Sequence, residues 1–416
     1  MVKKRKKSKI RLKPKKPAVL GTEERMEGDD LRMKKTKIKV VGVGDGAAQI
    51  VGELSREIKG VDFLVANTDW RKLRKFPKEV RTFYFGDKYT KGLGAGGDLE
   101  TARKAAIACK QEITEFLAGS DLCFLIACLG GGTGSGAAPV FARICQGLNI
   151  LTFGVFTTPF RFEGEKRAEV ARQALAKAKA NLNAVLVFPN EKIFQALDKN
   201  ASFNEGFVAI NRVLSEGLQG LINIVFQPGL INIDFADLKT VLTGFGKMAY
   251  LASVEFTKGA KLEEIKKKVF QIPLLSYNFR QARTVLFNVI SDSKLSLNEV
   301  SEISQQVFNL VHPEAKIIFG VSFDNTFADR IKIVLLAIGG RDNVSFAGEK
   351  RAKKQKVSSG KKGGKEKGEK VESKPAVKVR RNAIQVKQEI KVQEENLAAK
   401  EKIWETPAIL RKGFLS

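Results

Sequence analysis

Histidine and cysteine are scarce in this sequence, which has one histidine and four cysteines among 416 residues. Because His312 is the single histidine, most histidine-based catalysis and any zinc site built from several histidines are excluded. Cys109, Cys123, Cys128 and Cys145 form neither a CxxC motif nor another metal-ligand spacing, so we expect reduced thiols that hold no metal. These absences favour a cytoplasmic protein whose chemistry depends on other residue types.

Long apolar runs are also missing from the sequence. No stretch approaches the roughly 20 apolar residues that a membrane-spanning helix needs. The N-terminus is basic but lacks the apolar segment of a secretory signal peptide. We therefore expect neither a membrane span nor secretion.

Acidic residues are outnumbered, because 73 lysines and arginines against 45 aspartates and glutamates give a net charge of +28. Residues 1–37 hold 15 basic and 5 acidic groups, and residues 341–416 hold 21 and 10. The excess therefore lies mainly in two tails, which we expect to be disordered. Such tails could make non-specific contacts with an anionic membrane surface or a nucleic acid.

One stretch combines a buried strand with a glycine-rich loop. The apolar run Leu122–Leu129 is followed by five glycines, Thr133 and Ser135 within residues 130–136. A helical stretch comes next, and Pro139 is expected near its first turn, where a missing N–H costs nothing. Strand, loop and helix N-terminus together predict a phosphate cradle. The loop lacks the lysine of a P-loop, which indicates a different nucleotide family.

Two further glycine loops follow predicted strands. The first lies in Gly42–Ala47, and the other spans Gly92–Gly97, before a helical stretch predicted at Glu100–Phe116. Alone, the first loop satisfies the dinucleotide fingerprint, which would suit a nicotinamide-dependent oxidoreductase. A dinucleotide site does not ordinarily need three such loops. Because carboxyl ends of parallel strands share one edge, we expect the loops to hold a di- or triphosphate together.

The second half of the chain carries a long helix and an acidic loop. Apolar residues recur at helical spacing from Phe203 to Phe226. Asn232, Asp234 and Asp237 follow, and Asp234 is a candidate helix N-cap. Capping does not readily explain the other two side chains. Four strand-like runs and helices near 261–271 and 296–311 then predict a smaller α+β unit.

In order, these motifs resemble those of the cell-division protein FtsZ in the tubulin/FtsZ superfamily. The resemblance rests on GGGTGSG, on PFRFEGEKR at 159–167, on NIDFAD at 232–237 and on the terminal TPAILR at 406–411. It implies an α/β fold, with a Rossmann-like GTP-binding domain on a parallel sheet and a smaller α+β C-terminal domain. The expected boundaries are a basic extension at 1–36, the GTP-binding domain at 37–227 with its central helix at about 203–227, the C-terminal domain at 228–340, a charged linker at 341–402 and a partner-binding peptide at 403–416.

The resemblance also implies a GTP/GDP site with Mg²⁺. In the family, Glu163 and Arg167 would meet the ribose and phosphate side, whereas Asn190, Phe207 and Asn211 would recognise and stack on guanine. The other residues implied for the nucleotide belong to the glycine loops and the NTD triplet: Gly44, Asp45, Gly46, Gln49, Asn67, Asp69, Gly94, Ala95, Gly96, Gly97, Gly130, Gly131, Gly132, Thr133, Gly134, Ser135 and Gly136.

Catalysis would be shared between subunits. By resemblance, Asn232, Asp234 and Asp237 enter the nucleotide pocket of the neighbouring subunit, where the acids polarise the attacking water. This implies a GTPase that polymerises head-to-tail and forms a division ring at mid-cell. The terminal segment Trp404–Lys412 would bind membrane-tethering or division-regulating proteins. The alternatives are a tubulin-like filament with a DNA- or membrane-associated role and the nicotinamide-dependent enzyme.

Some positions differ from the family pattern. Asp45 replaces a glycine, which brings negative charge towards phosphate unless Mg²⁺ or a basic group is near. Gln49 replaces the usual asparagine, and Arg71 replaces a glutamine and could pair with Asp45 or the γ-phosphate. Asp98 lies in a Gly-Asp-Leu run where the family has Ala-Asn-Pro.

Overall fold

The structure, a computed structural model, describes residues 36–195, 201–226, 229–260 and 281–339. Most of the N-terminal extension, the helix expected near 261–271, the linker and the terminal peptide lie outside the described residues. Predictions about those segments therefore stay predictions.

Ten strands form one mixed sheet in the order β3-β2-β1-β4-β5-β6-β7-β10-β8-β9. The seven strands from β3 to β7 pair in parallel, β10 pairs antiparallel with β7 and β8, and β8 pairs in parallel with β9. The strands are β1 Ile38–Val43, β2 Asp62–Asn67, β3 Val80–Tyr84, β4 Leu122–Cys128, β5 Leu151–Thr158, β6 Ala184–Pro189, β7 Lys247–Thr257, β8 Thr284–Ser291, β9 Lys316–Phe323 and β10 Arg330–Ile338.

Helices cover both faces of the parallel strands. In the described part of the chain they are α1 Asp45–Glu57, α2 Asp87–Thr90, α3 Leu99–Ala108, α4 Lys110–Leu117, α5 Gly132–Gly147, α6 Glu165–Lys179, α7 Phe203–Phe226, α8 Phe235–Leu242 and α9 Leu297–Leu310. None of the described helices combines the length and apolar character needed to cross a membrane.

Side chains that point alternately to the two faces of the sheet form two separate hydrophobic clusters. Val40 of β1 and Phe124 of β4 belong to the cluster that contains α1 and α7, whereas Val41 and Leu125 belong to the cluster with α3, α5 and α6. Successive strand side chains point to opposite faces, so a sheet covered on both faces needs uninterrupted apolar strands. The apolar run of β4 is explained by this double cover.

The central helix α7 also touches the second part of the sheet. A Cβ built on Gly220 would lie 2.7 Å from Cγ2 of Val334 in β10, so this glycine permits a close approach. Strands β6 and β7 pair over three residues, from Ala184–Lys247 to Leu186–Ala249. The sheet therefore continues across the expected boundary at 227/228, and the division into two domains stays a prediction.

The parallel α/β architecture and the bounds of α7 agree with the sequence predictions, whereas two local expectations were wrong and one strand was missed. The helical stretch predicted for Glu100–Phe116 is divided at Cys109 into α3 and α4. Strand β3 was not predicted. Pro139 lies inside α5 rather than near its first turn, because the helix already begins at Gly132 within the glycine loop. Its missing N–H therefore removes one hydrogen bond from the helix interior.

Candidate functional site

The three glycine loops meet at the carboxyl edge of the parallel strands, around a cavity of about 520 Å³. Most residues predicted for a nucleotide line this cavity. They are Gly44, Asp45, Gly46, Gln49, Asn67, Asp69, Gly94, Ala95, Gly96, Gly97, Gly131, Gly132, Thr133, Gly134, Glu163, Arg167, Asn190, Phe207 and Asn211. The expectation that the loops gather at one edge agrees with this geometry.

Three residues predicted for the phosphates do not line the cavity. Gly130 donates its N–H to Oγ of Ser135 at 2.8 Å, and that serine is 2% exposed. A Cβ on Gly136 would lie 2.3 Å from the carbonyl oxygen of Leu99, so α3 packs directly against this glycine. Gly130, Ser135 and Gly136 therefore support the loop on the side away from the cavity.

The first turn of α5 lies close to the strands beside it. A Cβ on Gly134 would lie 2.9 Å from the carbonyl oxygen of Cys128 and 3.1 Å from that of Val43. The hydroxyls of Thr133 and Thr68 share a hydrogen bond of 2.7 Å, which fixes this turn to the end of β2. The unpaired N–H groups of the first helical turn, together with the helix dipole, suit an anion.

Charged residues at the ends of β1 and β2 form two separate pairs. Asp45 accepts a hydrogen bond from Nδ2 of Asn67 at 2.6 Å, and Nζ of Lys72 lies 3.7 Å from its other oxygen. Arg71 instead donates two hydrogen bonds to Asp69, at 2.9 and 2.8 Å. Of the two partners expected for Arg71, Asp45 is therefore wrong, and the γ-phosphate stays a prediction. The hydrogen bond from Arg71 lowers the pKa of Asp69.

At the other end of the cavity, amide and aromatic side chains come together. Asn190 and Asn211 are 8% and 7% exposed, and Phe207 packs edge-on against Phe160 with ring centroids 5.7 Å apart. Nδ2 of Asn211 donates to Oε1 of Glu53 at 3.3 Å. Burial raises the pKa of Glu53. This end offers hydrogen-bonding groups and a ring face to a planar ligand.

Glu163 and Arg167 form an ion pair between the two ends of the cavity. Glu163 also accepts the N–H of Phe160 at 2.8 Å, which holds its carboxylate at the start of α6.

The sequence did not predict six of the residues that line the cavity, namely Leu93, Cys128, Leu129, Thr157, Pro159 and Ile210. Four of them lie in the last two positions of β4 or β5 or directly after these strands, so their place at the strand ends was the signal that could have found them. Burial raises the pKa of Cys128 to about 11, so its thiol is neutral.

The acidic loop lies at the start of α8, and its side chains hold the loop together. Oδ1 of Asp234 accepts the N–H of Asp237 at 2.7 Å, and Oδ2 of Asp237 accepts the N–H of Asp234 at 3.1 Å. Oδ1 of Asn232 accepts the N–H of Gly229 at 3.4 Å. The expectation that capping would not explain Asp237 was wrong, because the two acids form a reciprocal capping box. Asp234 is an N-cap, as predicted.

The acidic loop lies at the opposite edge of the sheet from the glycine loops. Phe235 and Lys239 of α8 line a second cavity together with Asp121, Ile150 and Asn183, the residues immediately before β4, β5 and β6. That is the amino edge of the parallel strands. A seven-residue strand such as β4 spans roughly 20 Å at ~3.3 Å per residue. Asn232, Asp234 and Asp237 therefore cannot reach the 520 Å³ cavity of their own molecule.

The fold and the glycine-lined cavity define a nucleotide-binding α/β protein. Residues 37–198 match the tubulin/FtsZ family, GTPase domain, and residues 248–341 match the FtsZ family, C-terminal domain. The chain belongs to the tubulin/FtsZ family. The predicted resemblance is thereby confirmed, and it argues against the nicotinamide-dependent alternative.

Solved structures agree with this membership. An empty FtsZ dimer from M. jannaschii is 32% identical, with a TM-score of 0.68 over 74% of this chain and 90% of that one. CetZ2 from Haloferax volcanii, a GTPγS-bound protofilament, is 20% identical, with a TM-score of 0.62 over 73% and 92%. CetZ1 from Haloferax volcanii, a GDP-bound monomer, is 19% identical, with a TM-score of 0.63 over 74% and 96%. The CetZ similarities indicate a shared fold, and the predicted FtsZ-like fold is confirmed.

Proposed function

We propose that this protein is an FtsZ-like GTPase that polymerises head-to-tail and forms the cytokinetic ring in prokaryotic cell division. The observation that supports the proposal is the position of the acidic loop and the glycine-lined cavity at opposite edges of one sheet. Subunits stacked head-to-tail would bring the acidic edge of one molecule onto the cavity of the next. Such an interface is heterologous and does not close, so it generates a filament.

The cavity residues suit a guanine nucleotide, which would bring Mg²⁺ with its phosphates. The backbone N–H groups of Gly131–Gly134 would hold the phosphates. A Cβ built on Gly44 would lie 3.1 Å from the backbone nitrogen of Gly134, so a glycine at this position leaves space beside that nitrogen. Glu163 and Arg167 would contact the ribose and phosphate side, and Asn190, Phe207 and Asn211 the base. When bound with the nucleotide, Mg²⁺ would neutralise charge on the phosphates.

Hydrolysis would use acids delivered by the neighbouring subunit. Asp234 and Asp237 each give one oxygen to the capping box, and the second oxygen of each carboxylate can accept a proton or orient a water. Phosphoryl transfer depends mainly on placement and electrostatics, which a rigidly capped helix start can supply. A monomer would hold GTP and hydrolyse it slowly. Hydrolysis would follow assembly, in the cytoplasm at the mid-cell division site.

Phosphate release measured across protein concentration tests this proposal. The rate per subunit should rise above a critical concentration, together with pelletable polymer in GTP and Mg²⁺. Asp234→Asn keeps an oxygen for the N-cap, so it should bind GTP and assemble while phosphate release falls at least ~10-fold. A rate per subunit that stays constant from dilute to concentrated protein would contradict the proposal.

A second candidate is a tubulin-like filament with a DNA- or membrane-associated role and weak GTPase activity. The net charge of +28, concentrated in the two tails, favours this candidate. DNA binding that survives physiological salt and disappears on deletion of residues 1–36 would support it. Binding of the segment 404–412 to a membrane-tethering or division-regulating protein would instead support the division role.

A further inference from the structure

A partly buried carboxylate, that of Glu53, lies next to the end of the cavity where the base is proposed to bind. Glu53 is on α1, one helical turn after Gln49, which lines the cavity, whereas Glu53 does not. Within the described residues, Glu53 makes no ion pair, and its one hydrogen bond is the bond from Nδ2 of Asn211. The pKa of Glu53 is raised by burial, so its charge is unfavourable for the fold at this position. Packing alone gives no reason for an acid here.

The hydrogen bond between Asn211 and Glu53 determines which side-chain atom of Asn211 remains available to a ligand. An ionised carboxylate only accepts hydrogen bonds, so it must meet the NH₂ group of an asparagine rather than its oxygen. Asn211 lines the cavity, and its Oδ1 has no hydrogen-bond partner among the described residues. The amide is therefore held with its donor towards α1 and its acceptor available to the cavity.

We propose that Glu53 is a positioning residue that orients Asn211 with its oxygen towards the base, and thereby selects a purine whose edge carries hydrogen-bond donors. Guanine presents such donors at N1 and N2. Xanthine has an oxygen at position 2 instead, and adenine has an acceptor at N1. Facing a fixed acceptor, xanthine keeps only its N1 donor and sets its 2-oxo oxygen against the amide oxygen, whereas adenine sets its N1 acceptor against it, so both bases lose affinity. The inference rests on the proposed guanine-nucleotide function and adds the residue that sets its selectivity.

Glu53→Gln tests the inference, because glutamine can donate to the Asn211 oxygen and so release the amide to turn. Fluorescent GDP and XDP are titrated in Mg²⁺ against full-length protein kept below its assembly concentration. We expect the ratio of the XDP to the GDP dissociation constant to fall at least ~10-fold in Glu53→Gln, equivalent to ~1.4 kcal/mol. Glu57→Gln, on the exposed side of the same helix, should leave the ratio unchanged.

A double variant separates orientation from packing. In Glu53→Gln with Asn211→Asp, the glutamine donates to one carboxylate oxygen, and the other oxygen again offers the cavity an acceptor. GDP preference over XDP should return towards its wild-type value. A purely structural role of Glu53 would weaken both nucleotides alike and leave the ratio unchanged, which would overturn the inference. If the wild-type protein binds GDP and only the ratio fails to respond, the proposed function survives. Absence of GDP binding by the wild type would overturn both.

Discussion

Nδ2 of Asn67 lies 2.6 Å from Oδ1 of Asp45, which joins the end of β2 to the first residue of α1. This hydrogen bond gives Asp45 a structural role in a loop that otherwise suits a phosphate group. Lys72, with its Nζ 3.7 Å from the same carboxylate, is the basic group that the sequence reasoning required near Asp45. The acid is therefore compensated within the chain, at some cost to anion binding.

Asp45→Asn should strengthen nucleotide binding, because it removes a negative charge beside the phosphates and keeps an oxygen for Asn67. We expect the GDP affinity in EDTA to rise about fivefold, or ~1 kcal/mol, in equilibrium titrations. Asp62→Asn removes the same charge at the amino edge of β2 and serves as the control. An unchanged affinity in Asp45→Asn would contradict the predicted repulsion, and a weaker one would show that the carboxylate helps to bind the nucleotide.

Gly136→Ala and Gly131→Ala should separate the two kinds of glycine in the loop. A Cβ on Gly136 would lie 2.3 Å from the Leu99 carbonyl oxygen and 2.7 Å from Cβ of Ala102, so α3 must shift. We expect a loss of ~1–3 kcal/mol in unfolding free energy. Gly131 has open space at its Cβ and a φ of −88°, so Gly131→Ala should leave Tm unchanged and weaken GDP binding. Equal Tm values for both variants would contradict the packing argument.

Asp98→Ala should destabilise the start of α3 by ~1 kcal/mol, as measured by denaturant unfolding. The Asp98 carboxylate accepts the N–H groups of Glu100 and Thr101 at 3.0 and 3.1 Å. Hydrogen bonding from Thr101 lowers the pKa of Asp98, so this stabilisation is present above the ordinary value of 3.8 and is lost as pH falls through the lowered folded value. The difference between wild type and variant should persist from pH 7 to 5 and shrink below 3.8. A difference independent of pH would show that the carboxylate charge is unimportant.

The sequence predicted most of the sheet because its strongest signals are local. Strand β4 is an unbroken apolar run, and α7 repeats its apolar residues at helical spacing over the whole of Phe203–Phe226. Strand β3 was missed because it is an edge strand of the sheet, with Arg81 and Thr82 exposed. Pro139 was misplaced because glycine has a low helix propensity, so a run with Gly132, Gly134 and Gly136 indicated a loop; the close packing of α5 against β1 and β4 supplies the stabilisation that propensity lacks.

The candidate site was predictable as a set of loops but not as a set of contacts. Glycine spacing identified where backbone could approach an anion. Which basic side chain pairs with which acid depends on side-chain reach across neighbouring strands, so the pairing of Arg71 with Asp69 was not predicted. Glu53 gave no signal, because its partner Asn211 is 158 positions away in sequence.

Complementation between two defective variants should decide whether the active site is shared. Asp237→Gln removes a charge from the acidic loop but keeps an acceptor for the Asp234 N–H, as capping boxes with glutamine do. Gly131→Asp places a carboxylate in the open space of the phosphate loop and still suits a helix N-cap, so the fold should survive.

Each variant alone should release little phosphate. In an equal mixture, an intact cavity can meet an intact acidic loop from the next molecule at about a quarter of randomly formed head-to-tail interfaces. We therefore expect the mixture to recover about a quarter of the wild-type rate at the same total concentration. Co-sedimentation of both variants confirms that they assemble together. A co-assembled mixture as inactive as its components would show that Asp237 acts within its own subunit, because no arrangement of the subunits would then restore a complete site.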